Sequence, residues 1–401
     1  MTLRVPLLDK SAVAPVFFPQ REFQSMPDRD LRPRVVQLTP AGRGAIATLL
    51  VEGAGAVDAV EHEFRPGGKR TLRSAAADRP IYGRFGPPPG EEIVARRTGD
   101  ATVEIHCHGG SAAVARIVEL LAGRGCTTLG WREWMAQQEP DPLAAAARIA
   151  LADARTARTA AILLDQYAGA LRRAVDEIGA ALDRGDLAGA EREIAALLRR
   201  ARLGRHLIEP WRVVVAGAPN VGKSSLVNAL LGYSRAIVHS TPGTTRDLVT
   251  ALTVIDGWPV QLIDTAGLRD TADPLEQSGI ALARRELATA DLALLVFDGA
   301  ESWSPHDQQR WADYPEALVV HHKSDLPRAR NTGARPPGLW VSAASGQNLP
   351  ELLSRIAARL VPDPPPAGAA VPFTAAQAAS LETALAASVA RDPAAARAAL
   401  P

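Results

Sequence analysis

The spacing of apolar positions changes along the chain, and each change marks a different kind of element. From about Val35 to residue 130, short Val/Ile/Leu runs stand between turn signals. A β-like stretch at 45–51 follows TPAGRG, and TVEIHCHGG at 102–110 runs as a strand into a Gly turn. A helical run at about 112–121 follows, which predicts an α/β domain over 34–130. Residues 1–33 are broken by prolines and keep no period, so they are expected to form a loosely attached extension.

Residues 131–210 are rich in Ala, Leu and Arg, all strong helix formers. Leu164, Tyr167, Leu171, Val175, Ile178 and Leu182 recur at spacings of three and four, predicting one helix face packed on another helix. Gly185-Asp186 breaks the run, and a second helix is expected to end near Gly204. Over 211–361 the strand-like runs RVVVAG, PVQLIDT, LALLVF and ALVVHH alternate with helical patterns, the signature of a parallel sheet with helices on both faces. In 362–401, DPPPAG reads as a linker, and Thr374 with Gln377 forms a capping box that opens a helix through Leu381, Leu385 and Val389. Asp392-Pro393 stops that helix and starts a last turn.

Composition narrows the class. A chain of 401 residues, 47% hydrophobic and 22% charged, has material for two or three domains with true cores. Net charge is +1, so any RNA contact must come from a local patch. No apolar run approaches the roughly 18–20 residues that cross a bilayer, and the first residues lack the apolar stretch of a signal peptide. The two cysteines, Cys107 and Cys126, have no metal-type spacing, which points to reduced thiols and a cytoplasmic location. His106 and His108 flank Cys107, but alternate strand residues face opposite ways and do not make a metal site. Only four lysines occur (Lys10, Lys69, Lys223 and Lys323), so a Lys marks a place where a compact ammonium is needed.

Two of those lysines lie in chemical motifs. Gly217-Ala218-Pro219-Asn220-Val221-Gly222-Lys223-Ser224 matches G-x-x-x-x-G-K-[ST] between a strand and the helical SSLVNALL that includes Ser225. Its glycines let backbone N–H groups curl around phosphate oxygens, Lys223 reaches the β- and γ-phosphates, and the Ser224 hydroxyl ligates Mg²⁺. Asp264, in the strand-terminal Asp264-Thr265-Ala266-Gly267, is placed to hold Mg²⁺ through a water. Between them, Gly243-Thr244-Thr245-Arg246-Asp247 is a loop in which Thr245 is expected to close on Mg²⁺ and the γ-phosphate. Lys323 and Asp325 follow the strand ALVVH, and Ser342-Ala343 follows LWV. A buried Asp accepts from both guanine N1–H and N2–H₂, and adenine offers no matching donors. Guanine-binding proteins normally carry Asn where this chain has His322, and that Asn tethers the loop and contacts the base. His322 is a departure expected to loosen the nucleotide, with neutral versus charged imidazole making a difference. The residue after Asp-Thr-Ala-Gly is Leu268, which cannot orient water. Glu276 is the nearest candidate for that task, or else a solvated residue at a helix start. Arg199, Arg200, Arg202 and Arg205 form either an RNA patch or a basic helix end that complements its dipole.

Together, GAPNVGKSSLVNALLG, STPGTTRD, IDTAGLRDT…LEQSGI and the VVHHKSD segment resemble the TrmE/MnmE tRNA-modification GTPases, and LTPAGRGAIA with TVEIHCHGG resembles that family's tetrahydrofolate-binding domain. The likeness is close over about 211–361 and looser over 35–126. It implies a P-loop GTPase domain inserted in an α-helical domain built from 131–210 and 362–401, behind an N-terminal folate-binding-like α/β domain. It implies GTP hydrolysis with Mg²⁺ at Ser224, Thr245 and Asp264, and K⁺ at Asn220. Glu276 would position the water, and the G domains would pair in a homodimer. The nucleotide contacts it implies are Gly217, Asn220, Val221, Gly222, Lys223, Ser224, Ser225, Thr244, Thr245, Asp264, Gly267, His322, Lys323, Asp325, Ser342 and Ala343. A tetrahydrofolate derivative would meet Thr39, Gly42, Gly44, Glu104 and His108. Implied partners are tRNA and a flavin-containing modification protein, with no membrane. The family's Cys-x-Gly-Lys tail, whose Cys serves uridine modification, and its G-E-F-T…R-A-F-x-N-G-K stretch have no match here, where RDPAAARAALP and LGWREWMAQQEPDP stand. Two other readings therefore stand beside wobble-uridine modification: a regulatory or RNA-assembly GTPase without that chemistry, and a GTP-sensing scaffold that does not hydrolyse.

Overall fold

Alternation of apolar and polar residues in the first part of the chain produces a sheet with one covered face. The strands are β1 (Arg34–Gln37), β2 (Ile46–Glu52), β3 (Phe64–Pro66), β4 (Ile81–Phe85), β5 (Glu91–Gly99), β6 (Thr102–His108) and β7 (Thr127–Leu129), with α1 (Ala56–Glu63) and α2 (Ser111–Gly123) between them. The structure is a computed structural model describing residues 32–42, 44–233, 249–265, 285–328 and 335–401. It divides into two compact units between Trp134 and Met135.

In the first unit the strand order is β3-β4-β5-β6-β2-β1-β7, antiparallel except for the β1–β7 pair. Val103, Ile105 and Cys107 of β6 face a core shared with Val57 and Val60 of α1 and Val114, Ile117 and Leu121 of α2. The intervening Glu104, His106 and His108 stay at least partly exposed, as a period of two requires.

The division falls within α3 (Trp131–Gln138), and in the second unit α4 (Pro142–Asp153), α5 (Ala157–Tyr167), α6 (Ala170–Asp183) and α7 (Leu187–Arg205) precede the second sheet. The apolar stripe from Leu164 to Leu182, expected on one helix, is split between α5 and α6. Gly169 takes φ +91° and breaks the run, leaving Leu164 half exposed while Leu171, Val175, Ile178 and Leu182 are buried. Spacing alone does not register such a break, because a left-handed glycine changes direction without changing the apolar count.

The second sheet is built from β8 (Trp211–Gly217), β9 (Val249–Ile255), β10 (Trp258–Asp264), β11 (Leu292–Asp298), β12 (Leu318–His322) and β13 (Leu339–Trp340), in the order β13-β12-β11-β8-β10-β9. All neighbours are parallel except β9, an edge strand that the expected pattern did not include, which pairs antiparallel with β10. Helices α8 (Lys223–Tyr233) and α10 (Leu349–Leu360) cover the face carrying Val213, Val215 and Val296. Trp311 of α9 (Pro305–Asp313), with Trp303 and Tyr314, packs on the opposite face, against Ala216, Leu295 and Phe297.

The chain then returns to the helical layer. The buried side chain of Gln166 on α5 donates to Ala369 O at 3.0 Å and accepts from Val371 N at 3.0 Å. At Gly204 of α7 a Cβ would lie 1.8 Å from Pro372 O, so only glycine allows the two backbones to meet. Thr374 and Gln377 form the expected capping box at the start of α11 (Ala375–Val389). Asp392 caps α12 (Pro393–Ala398) by accepting from Ala395 N at 2.9 Å. This is a P-loop-type α/β sheet set within helices, behind an N-terminal sheet domain. No helix among the described residues is long and apolar enough to cross a membrane.

Where α7 ends and β8 begins, Asp291 accepts from Arg212 N at 2.8 Å and lies 3.2 Å from His206 Nε2, whose ring stacks on Trp211. Burial pushes the Asp291 carboxyl up, but hydrogen bonds from His206 and Arg212 N, with the charges of His206 and Arg202, hold it below the ordinary carboxylate value. A depressed carboxylate stabilises the fold above its ordinary pKa and loses that contribution as pH falls through its folded value. In urea unfolding, the stability gap between wild type and Asp291→Asn is therefore expected to be largest at neutral pH and to shrink as pH falls from about 5 to about 3. Gly204→Ala is expected to cost about 1–3 kcal/mol by forcing apart α7 and the 372 backbone, read as a lower midpoint in the same titration.

Candidate functional site

Parallel strands place their carboxyl ends on one edge, where ligands bind in open α/β sheets. Here that edge gathers Gly217, Asp264, Asp298 and His322 from adjacent strands. From Gly217 the chain turns through residues 218–222 and enters α8 at Lys223. The turn is tight enough that its glycines are steric necessities. A Cβ on Gly217 would meet Val296 O at 2.2 Å, and one on Gly222, at φ +94°, would meet His322 Nδ1 at 2.4 Å. Asn220 takes φ +62°, a region that Asn tolerates better than most residues. Lys223 is buried across the mouth of the turn, its Nζ 2.9 Å from Ala218 O and 3.2 Å from Gly217 O. The helix start supplies unpaired N–H groups and positive dipole, a ready anion cradle.

Beside it, the Ser224 hydroxyl donates to Asp264 Oδ2 at 2.5 Å, with Asp264 buried at the end of β10. One hydroxyl and one carboxylate converging beside a phosphate loop fit Mg²⁺, a hard cation that keeps waters and phosphate oxygens as its other ligands. Among the described residues no cluster of three or more His, Cys, Asp or Glu suits a resident metal.

The end of β12 leans on the same loop. His322 is buried between the phosphate loop and the 342–344 turn: Nδ1 is 2.9 Å from Val221 O, and Ala343 N donates to Nε2 at 3.2 Å. Lys323, at φ +61°, reaches back to Asn220 O at 2.9 Å and to Asp298 Oδ2 at 2.6 Å. Asp298 in turn accepts from Ala300 N through Oδ1 at 2.9 Å. Asp325 is exposed, and a hydrogen bond from Ser342, itself fully buried, holds its carboxyl below the ordinary range. Gly222, Ser225, Ala229, His322, Lys323, Asp325, Ala343 and Ala344 line a cavity of about 450 Å³ at this junction. A planar heterocycle entering it would meet the Lys323 stem and present its edge to Asp325.

The structure thus brings together Gly217, Asn220, Val221, Gly222, Lys223, Ser224, Ser225, Asp264, His322, Lys323, Asp325, Ser342 and Ala343. Thr244, Thr245, Gly267 and Glu276 lie outside the described residues, as does Leu268. Asp298 escaped the sequence reading; its signal was a carboxylate ending the apolar run LALLVFD. The arginines before β8 are engaged at home: Arg200 donates to Ala370 O, Arg202 donates to Asp291 O, and Arg205 pairs with Glu209. On the first unit's sheet, Gly44 N donates to Gly109 O at 3.2 Å, which seats the Thr39–Gly42–Gly44 loop beside the end of β6 and His108. Thr39 Oγ1 is taken by Thr48 N, and Glu104 by Arg96 at 2.6 Å.

Comparison with known proteins decides the family. Residues 212–323 match the family described as 50S ribosome-binding GTPase. Along its length the chain is 35% identical over 367 residues to the tRNA modification GTPase MnmE of Symbiobacterium thermophilum, covering 80% of each chain. It is 36% identical over 373 residues to that of Heliobacterium modesticaldum, covering 79% of each. The protein of the same name from Synechococcus sp. strain RCC307 is 34% identical over 358 residues, with 79% of this chain and 78% of that one covered. The chain belongs to the MnmE family.

Membership makes the carboxyl-edge site that of a GTPase domain, and the family implies GTP and Mg²⁺ as its ligands. His322 and Asp298 hold the elements that line this cavity: His322 bridges the phosphate loop and the 342–344 turn, and Asp298 grips Lys323. Charge-assisted hydrogen bonds are worth about 1.5–3 kcal/mol. Asp298→Asn, which weakens the grip on Lys323, is therefore expected to raise the GDP Kd about tenfold or more in calorimetric titration, with the folded circular-dichroism spectrum retained.

Proposed function

We propose that this chain binds and hydrolyses GTP with Mg²⁺ and K⁺, as a switch whose G domains pair across their nucleotides. The observation that carries the nucleotide part is the junction of Lys223, Ser224–Asp264 and Asp325 around one edge of the sheet. Lys223 lies where its ammonium meets β- and γ-phosphate oxygens. Asp325 accepts from guanine N1–H and N2–H₂, and Ser342 keeps that carboxylate ionised. Ser224, Asp264 and Thr245 hold Mg²⁺, which when bound neutralises charge developing on the phosphoryl oxygens.

With Leu268 at the position where many GTPases carry a water-orienting Gln, Glu276 takes that task, holding the attacking water directly or through a second water. Asn220 sits exposed on the phosphate loop. Its side chain supplies a ligand for K⁺, whose charge takes the place of an arginine finger. Pairing of two G domains completes the ion site and shields it from solvent. Thr244 and Gly267 contribute backbone to the γ-phosphate.

Further out, the reading extends to tRNA modification, which the relatives' name states, and, by the family resemblance alone, to wobble uridine and a flavin-containing partner. A tetrahydrofolate derivative would bind on the first unit near Thr39, Gly42, Gly44, Glu104 and His108. One observation favours a second reading. Both cysteines of this sequence are buried, and burial raises both thiols, so neither is an activated nucleophile. A GTPase that retains the switch and acts in RNA assembly or regulation without thiol chemistry fits that fact. A non-hydrolysing scaffold is the remaining outcome.

Phosphate release from Mg·GTP is expected to rise about tenfold or more in KCl over NaCl, with ATP inert and Asn220→Ala insensitive to the cation. GTP-dependent dimerisation without phosphate release in either salt would instead identify the scaffold. RNA copurified with the intact chain separates the other two: tRNA together with a flavoprotein supports uridine modification, and ribosomal RNA supports the assembly role.

A further inference from the structure

His322 stands where a guanine-binding loop usually carries Asn, and its hydrogen bonds fit one tautomer of the neutral ring. Val221 O can only accept, so Nδ1, 2.9 Å away, carries a proton and donates. Ala343 N–H can only donate, so Nε2, 3.2 Å away, must be bare and accept. The ring is 4% exposed, and a Cβ on Gly222 would fall 2.4 Å from Nδ1. No room remains for it to turn and exchange its nitrogens. Its own carbonyl is fixed as well, accepting from Gly299 N at 2.6 Å.

From these contacts we infer that neutral, Nδ1-protonated His322 is a positioning residue that holds the phosphate loop to the base-reading turn, and that its protonation loosens guanine-nucleotide binding. The inference rests on the nucleotide reading above and goes beyond it. An Asn side chain supplies the same donor and acceptor but does not titrate. An imidazole can take a second proton, which an amide cannot. Once on Nε2, that proton confronts Ala343 N–H, two donors with no acceptor between them. The 342–344 turn, whose Ser342 hydroxyl orients Asp325, must then move away.

The charged groups around the ring set the balance. Lys323 and Asp325 follow it in the chain, and Lys223 rises from the start of α8. Asp298, paired with His322 in the β11–β12 register, is already engaged by Lys323. The 342–344 turn brings no titratable residue. Burial pushes the imidazole of His321, next door, below its ordinary value, and its Nε2 lies 3.0 Å from Pro336 O. Asp325 is thus the carboxylate with most to gain from a charged ring. An imidazolium would compete with the guanine edge for it, so both effects weaken binding in the same direction.

The test is GDP affinity of the full chain, measured with a fluorescent GDP analogue at pH 8.0 and pH 5.5 for wild type and His322→Asn. The wild-type Kd is expected to rise at least tenfold at pH 5.5, while the two Kd values of H322N stay within threefold of each other. A parallel rise of Kd in both proteins, or no rise in either, overturns the inference while leaving the nucleotide reading intact. Absence of binding by wild type at pH 8.0 sinks that reading itself. Should H322N fail to fold, ring ¹⁵N shifts of His322 in GDP-bound wild type at pH 8.0 decide: a bare Nε2 with protonated Nδ1 supports the tether, and the opposite tautomer overturns it.

Discussion

The close approach of the phosphate loop to the end of β12 is the constraint from which the site follows. Two backbones meet there with an imidazole between them, and Gly222 is what lets the gap be so narrow. The loop's carbonyls are then spoken for: Val221 O by His322, Asn220 O by Lys323, and Ala218 O by Lys223. With acceptors turned inward to these cations and donors, the concave side of the loop is left to N–H groups, which is the polarity that a phosphate requires. The phosphate loop and the end of β12 are therefore one structure, and a change at either is felt at the other.

That edge is mechanically connected to the helical layer. Arg212 at the start of β8 holds Glu286 at 2.5 Å, just after the segment that follows β10, and its backbone N–H holds Asp291. Asp291 reaches His206 at the end of α7, and α7 lies against the returning chain at Gly204 and Pro372. On the far side, Thr156 of the helical layer donates to Gly257 O at 2.7 Å, and Arg158 pairs with Asp256 at 2.8 Å in the β9–β10 turn. A shift of residues 285–288 thus has a short path into the helices through charged and hydrogen-bonded groups, many of them partly buried, where weak screening preserves their strength.

How much of this was legible in the sequence depended on the range of the physics involved. The phosphate loop reads directly because its function needs specific residue types at consecutive positions, and the β8–α8 context is set by neighbouring residues. Alternating strand and helix patterns gave the parallel sheet for the same reason. A tethering role at 322 was legible from the Asn usual there; what the sequence hid are its partners Val221 and Ala343, far away in the chain, which show that the ring supplies the same donor and acceptor. Asp298 was hidden because its partner Lys323 follows another strand, β12. The break at Gly169 was hidden because an apolar period continues through a change of helix axis. For the arginines before β8 the sequence left an RNA patch and a basic helix end open; the contacts of Arg200 with Ala370 and of Arg202 with Asp291 were hidden because those partners are distant in sequence.

The central claim is that Asp325 reads guanine at the end of β12, and swapping its acceptor for a donor tests it most directly. Guanine offers two N–H donors to a carboxylate, whereas xanthine has a carbonyl where guanine has its amino group, so an amide at 325 should suit xanthine. The account predicts that wild type binds GDP far more tightly than ADP or XDP, and that Asp325→Asn loses GDP affinity by about a hundredfold while gaining XDP. Unchanged GDP affinity in Asp325→Asn, or ADP bound as tightly as GDP by wild type, would contradict it.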